Sequence, residues 1–240
     1  MLKYERIELR RMGKISEDPK LRDQVSVFRG RYHAGEVLAE KLEKFMGSEA
    51  WVLAIPAGGV PVGVILSEKL GLRFDLILVR KIHIPWNPEA GFGALAWDGS
   101  VFYNEPLLRT LGLTEEEVER CIEAERAAIV ERMRLFRGDR PFPNLRGKTA
   151  ILVDDGMASG FSMLAAVKSM RRRNPGEVVV AVPTGSEGAV QLVGPRADEL
   201  ICLNIRSGPT FAVADAYEAW HDLEDKDVVK ILEQAQKPSV

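Results

Sequence analysis

Ala150-Ile151-Leu152-Val153-Asp154-Asp155-Gly156-Met157-Ala158-Ser159-Gly160-Phe161-Ser162 is the stretch whose reading decides the fold of this 240-residue chain. Four apolar residues run directly into two adjacent acids. A loop of small residues follows, and from Ser162 to about residue 173 apolar positions recur at helical spacing. An unbroken apolar run bounded by turn residues predicts a strand buried on both faces, as in a parallel α/β sheet. The acids then lie at its carboxyl end, at the mouth of the crevice where open α/β sheets bind ligands. Gly156 and Gly160 allow a tight turn and close approach to a bound group. Backbone N–H groups opening the next helix, with the Ser159 and Ser162 hydroxyls, suit a phosphate. Two carboxylates would repel that phosphate, so they should face another part of the ligand. Vicinal ribose hydroxyls fit them, and a divalent cation nearby would ease the remaining repulsion. Direct phosphoryl transfer to Asp154 or Asp155 is the other chemistry such acids support. It would need a phosphate at the carboxylate, whereas the serine loop lies several residues beyond.

Working outward, Trp51-Val-Leu-Ala-Ile55 predicts another buried strand, followed by Pro56-Ala57-Gly58-Gly59-Val60-Pro61. A helix over 62–70 and a strand over 74–79 complete a βαβ unit. The Gly58-Gly59 pair, at a strand end, opens backbone N–H groups that suit an anion. Arg80 and Lys81 close the next strand and place two cations beside this crevice. Residues 82–104 read as a mobile flap: Pro85 and Pro88 interrupt regular structure, and Asp98-Gly99 signals a β-hairpin. His83 and Glu89 lie within it. Thr114 with Glu117 forms a capping box opening a long amphipathic helix. Gly147-Lys148-Thr149 precedes a strand rather than opening a helix, so it is no phosphate-binding Walker loop. Strands over 177–182 and 199–204, a helix capped near Ser186 and a final helix over 226–234 follow. A helix is expected over 28–46, and residues 1–26 are charge-rich and weakly patterned. This order predicts an α/β fold, a doubly wound parallel sheet of about five strands, as a single domain over residues 1–240.

A formal net charge of −2 excludes a generally basic surface for nucleic acid. No apolar run approaches the ~20 residues needed to span a bilayer. The amino terminus lacks the apolar core of a signal peptide. Cys121 and Cys202 stand apart without histidine clusters and read as core thiols in a reducing compartment. A cytosolic protein is expected.

The central stretch resembles the phosphoribosyl-diphosphate (PRPP) signature of type I phosphoribosyltransferases: apolar strand, Asp-Asp, three residues, Ser/Thr-Gly, one residue, Ser/Thr. The Pro-x-Gly-Gly-Val-Pro-Val run at 56–62 resembles a subgroup of predicted phosphoribosyltransferases, some with a basic residue where this chain has Ala57. The resemblance implies that Asp154 and Asp155 hold the ribose hydroxyls and that residues 156–162 wrap the 5′-phosphate. It also implies that Ala57, Gly58, Gly59, Arg80 and Lys81 receive pyrophosphate, with Lys81 stabilising charge on the leaving group. Residues 84–140 would form a flap and helical insertion, and 183–240 a partial hood and C-terminal helix. Phe211 or Tyr217, in the hood, could stack on an acceptor base. Mg²⁺ is the implied cofactor, bound mainly through PRPP and only indirectly by Asp154 and Asp155. PRPP and a small-molecule acceptor are the implied partners, and a homodimer is compatible with them. Enzymes acting on 6-oxopurines carry an acid where this chain has Ala158, which argues against that acceptor class. A PRPP- or nucleotide-binding regulator without turnover is the alternative within the same fold.

Overall fold

The computed structural model describes residues 13–235. In chain order its strands are β1 (Lys14–Ser16), β2 (Trp51–Ala54), β3 (Arg73–Leu76), β4 (Val79–Ile84), β5 (Asn87–Ala96), β6 (Val101–Tyr103), β7 (Thr149–Val153), β8 (Glu177–Ser186) and β9 (Glu199–Arg206). The helices are α1 (Arg31–Lys41), α2 (Gly59–Leu70), α3 (Glu105–Leu111), α4 (Glu115–Arg137), α5 (Phe161–Arg171), α6 (Glu187–Val193) and α7 (Asp225–Ala235).

Six strands form one parallel sheet in the order β1-β9-β8-β7-β2-β3, and β4-β5-β6 form a second, antiparallel sheet. The period-two alternation of a strand explains the unbroken apolar runs. In β7, Ala150 and Leu152 pack on one face with Met163, Val167 and Met170 of α5. Ile151 and Val153 pack on the other with Leu38 of α1 and Val62 and Leu66 of α2. Both faces are therefore dry, and the doubly wound architecture expected from the sequence is present with one strand more than anticipated. The extra strand, β1, is polar and three residues long, which leaves no apolar pattern to read. The first twelve residues of the weakly patterned segment lie outside the described residues.

Three expectations change. The run at 74–79 is not one strand: β3 ends at Leu76, and β4 departs into the second sheet, where Trp97 donates its N–H to the Leu78 carbonyl. The segment read as a flap contains the expected hairpin, but regular structure continues past its prolines as the antiparallel sheet β4-β5-β6. Only Pro85 and Trp86 form its first turn, because register irregularities around His83 absorb the prolines. Ile82, Ile84, Phe92 and Leu95 pack there on Ile122 and Ile129 of α4. The Asp98-Gly99 hairpin forms as expected, with Ser100 N–H donating to Asp98 Oδ1 at 3.0 Å. Finally, β8 runs past Val182 to Ser186. Pro183 lacks an N–H, but pairing resumes at Thr184 opposite Asn204.

The capping box is present: Thr114 N–H donates to Glu117 Oε2 at 2.8 Å, and Glu117 N–H donates to Thr114 Oγ1 at 3.2 Å. Ser186 likewise caps α6.

Leu152 is fully buried at the sheet centre. Leu152→Ala should cost ~2–5 kcal/mol, read as a lower urea midpoint at unchanged slope.

Candidate active site

β2 and β7 are paired with Ala54 opposite Val153, so the loops that follow them leave the sheet side by side. Ile55 N–H donates to the Val153 carbonyl at 2.8 Å and holds the two strand ends together. The Pro56–Ala57 peptide bond is cis. Gly58 and Gly59 meet the acidic loop directly. A Cβ on Gly58 would fall onto the Asp155 carboxylate, and one on Gly59 would come within 2.7 Å of the Val153 carbonyl oxygen and 2.9 Å of Asp154 Cα. Only glycine permits this approach. The two glycines open α2, whose N-terminus has no side-chain cap.

The adjacent acids have different surroundings. Asp154 is part-exposed, and its Oδ1 accepts the Asp155 N–H at 2.8 Å. Asp155 is buried, and its Oδ2 accepts from Arg31 Nε at 2.8 Å. Arg31 is itself buried; it donates through Nη1 to the His221 carbonyl at 2.9 Å, and its guanidinium lies 3.9 Å from the Trp220 ring centroid. Tyr217 donates its hydroxyl to the Asp155 carbonyl at 2.6 Å. Burial, then the neighbouring Asp155 charge, pushes the Asp154 carboxyl well above the usual carboxylate range. Burial also raises Asp155, opposed by the Arg31 charge and its hydrogen bond.

The loop from 156 to 162 is fixed at several points. Met157 is buried and pairs with Gly185, donating its N–H to Thr184 and accepting from Ser186. Its side chain is core, and this N–H is spent on the sheet. Gly156 packs so closely that a Cβ would stand 2.6 Å from Val213. Ser186 Oγ donates to the Ala158 carbonyl at 2.7 Å while accepting from Ala189 N–H. Gly160 has φ +77° and is the N-cap of α5, with no side-chain cap. Ala158 and Ser159 are exposed; Phe161 and Ser162 form the first turn of α5. The opening N–H groups of a helix have no intrahelical partner, and no side chain caps those of α5. Beside it lies a cavity of about 470 Å³ lined by Ala158, Ser159, Ser186, Arg206 and Phe211.

Two site expectations need correction. Arg80 and Lys81 are consecutive in β4 and point to opposite faces. Arg80 turns to α4 and pairs with the buried Glu125, which also receives His83 Nδ1 at 2.7 Å. Arg80 is thus a strut of the second sheet, and Lys81 faces away from that pair. Lys81 is exposed, its side-chain stem against Gly91. The Glu89 side chain lies outside the described residues. Tyr217, for its part, is 4% exposed, with Phe28 and Trp220 ring centroids at 5.7 and 5.3 Å. Its part is to hold Asp155, not to stack on a base. Phe211 remains at the cavity wall, below the Arg206 guanidinium. Arg31, Ser186 as a loop anchor, and Arg206 were not singled out from sequence as site residues. Their partners are 124, 28 and, for the Phe211 contact, five positions away, and no local pattern announces the first two.

The model of the phosphoribosyl transferase domain matches residues 30–218, from the N-cap of α1 through Glu218. The chain belongs to this family. Two Mycobacterium tuberculosis proteins, Rv0571c and MT0597, provisionally named phosphoribosyl transferases, are each 32% identical over 213 residues, 89% of this chain. The chain spans about half the length of these curated relatives, 48%. The crystal structure of TT1426 from Thermus thermophilus is 36% identical, with a TM-score of 0.71 over 86% of this chain and 98% of that one. Among the described residues no helix is long and apolar enough to cross a membrane.

The contrast between the acids has a consequence for stability. Asp154 holds its proton more tightly folded than unfolded, so stability falls as pH rises above the ordinary carboxylate value of ~4. Asp154→Asn should remove that decline and raise the Tm of the ligand-free protein at pH 7 by roughly 2–4 °C. Asp155→Asn should instead cost ~3–5 kcal/mol, because it leaves Arg31 buried without its anion. Thermal unfolding between pH 4.5 and 8 checks both signs.

Proposed function

We propose that the protein transfers the 5-phosphoribosyl group of PRPP to a nitrogenous acceptor and releases pyrophosphate. The observation that carries this reading is the juxtaposition of two helix-opening anion loops, 57–59 and 158–162, at neighbouring strand ends with Asp154 between them. A ligand suited to that spacing carries anionic groups at both ends and donates hydrogen bonds from its middle. PRPP has this pattern: 5′-phosphate, ribose hydroxyls, pyrophosphate on C1.

In this assignment the opening N–H groups of α5, with Ser159 and Ser162, hold the 5′-phosphate, aided by the helix dipole. Asp154 accepts from the ribose hydroxyls, and Asp155, anchored by Arg31 and Tyr217, fixes the neighbouring backbone. Ala57, Gly58 and Gly59 receive pyrophosphate through backbone donors, and Lys81 offsets charge as the C1–O bond breaks and the bond from the acceptor nitrogen forms. Orientation and charge stabilisation carry the rate, without a protein nucleophile. The acceptor lies on the Phe211 side, in the cavity beside Ala158.

The donor set fits a Mg²⁺ delivered by its substrate. Asp154, part-exposed at the carboxyl end of β7, is the acid that would meet a metal carried on PRPP. When bound, the ion would neutralise charge on pyrophosphate.

A second reading, a PRPP- or nucleotide-binding regulator without turnover, draws on Ala57, which brings no cation to the pyrophosphate loop, and on the engagement of Asp155 by Arg31. Pyrophosphate release separates the two. With PRPP, Mg²⁺ and a panel of bases, an enzyme releases pyrophosphate with at least one base. Binding with no release from any base favours the regulator; no PRPP binding contradicts the transferase, and no binding of PRPP or of nucleotides contradicts both. Gly58→Ala, which drives a methyl onto Asp155, should lower kcat/KM about 100-fold or more.

A further inference from the structure

A carboxylate lies directly against the loop assigned to pyrophosphate, since the Asp155 carboxylate occupies the space a Gly58 Cβ would take. An uncompensated anion there would oppose the ligand across a buried, weakly screened distance. The compensating charge comes from the first residue of another helix. Arg31 Nε donates to Asp155 Oδ2 at 2.8 Å, with side chains only 7% and 12% exposed. The guanidinium is fixed from the far side by the His221 carbonyl and by the Trp220 ring. Those contacts are backed in turn: Glu218 N–H donates to the Phe28 carbonyl at 2.8 Å, and Phe28 N–H donates to the Ala216 carbonyl at 2.9 Å. The segments 28–31 and 216–221 thus form one clamp around a single cation.

We propose that Arg31 is a positioning residue that neutralises Asp155 beneath Gly58 and so makes the 57–59 loop receptive to pyrophosphate. The proposal rests on the pyrophosphate assignment of that loop. Arg31 is buried behind Asp155 and acts through its charge, without touching the substrate. It also links the segment 216–221 to the anion loop, because its guanidinium contacts both Asp155 and the Trp220–His221 pair.

The test compares affinity for PRPP with affinity for ribose 5-phosphate, both with Mg²⁺, by isothermal titration. Both ligands share the 5′-phosphate and ribose contacts, so their ratio reports the pyrophosphate loop alone. At a pH high enough to keep Asp155 ionised in every variant that retains it, the surroundings of Asp155 carry no net charge in the wild type and in the Arg31→Met/Asp155→Asn double variant, one negative charge in Arg31→Met and one positive charge in Asp155→Asn. The PRPP preference should fall about tenfold in Arg31→Met, the scale of one unbalanced charge at an effective protein dielectric. It should return to the wild-type ratio in the double variant and rise about tenfold above it in Asp155→Asn. Arg31→Lys, which keeps the charge, should keep most of the preference. If Arg31→Met does not fold, the same tenfold drop is expected between Asp155→Asn and the double variant. An equal loss for both ligands, or a ratio constant across the folded variants, overturns the proposal and leaves Arg31 a structural buttress. Failure of the wild type to bind PRPP at all overturns the assigned function, and the proposal with it.

Discussion

The register of β2 against β7 is the constraint on which the rest depends. Pairing Ala54 with Val153 places the two strand ends level, and the bond from Ile55 N–H to the Val153 carbonyl keeps them so. A one-residue slip would send every side chain to the opposite face, and the burial of Ile151 to Val153 on both faces makes that prohibitive. Level strand ends bring Gly59 against the Asp154 backbone and Gly58 against the Asp155 carboxylate, distances that tolerate no side chain. The site is a consequence of sheet pairing plus two glycines.

That closeness creates an electrostatic difficulty. An anion site built around two carboxylates must silence or redirect them, and here the two are handled differently. Asp155, beneath Gly58, is buried and paired with Arg31, with its carbonyl bound by Tyr217. Asp154 stays part-exposed with a raised proton affinity, a destabilised group at the carboxyl end of β7. Unfavourable ionisation in the ligand-free protein is the usual cost of a poised site. The aromatic residues Phe28, Tyr217 and Trp220 serve the same end by burying the Arg31–Asp155 pair.

Much of this was legible in the chain. The apolar runs at 51–55 and 150–153 gave two central strands, because burial on both faces leaves no polar alternation. The spacing of acids, glycine and serines placed the loop. The capping box at Thr114 and the Asp98-Gly99 turn formed where local chemistry demanded them. Residues whose role depends on distant partners were not legible. Nothing near Arg31 signals that it meets Asp155, and nothing near Arg80 signals that Glu125 claims it. Tyr217 looked like a stacking platform because sequence shows an aromatic ring but not what fills its faces. The segment after Ile84 misled for a related reason: prolines signal irregularity, yet a register shift at His83 absorbs them within a sheet.

The central question is whether the two loops grip opposite ends of one ligand. A crystal structure with PRPP and Mg²⁺ measures this directly. Pyrophosphate is expected on the backbone of 57–59, the 5′-phosphate within hydrogen-bonding reach of Ser159 and Ser162, and the ribose hydroxyls on Asp154. A 5′-phosphate lodged elsewhere, or pyrophosphate on the Arg80 face of β4, would contradict this arrangement.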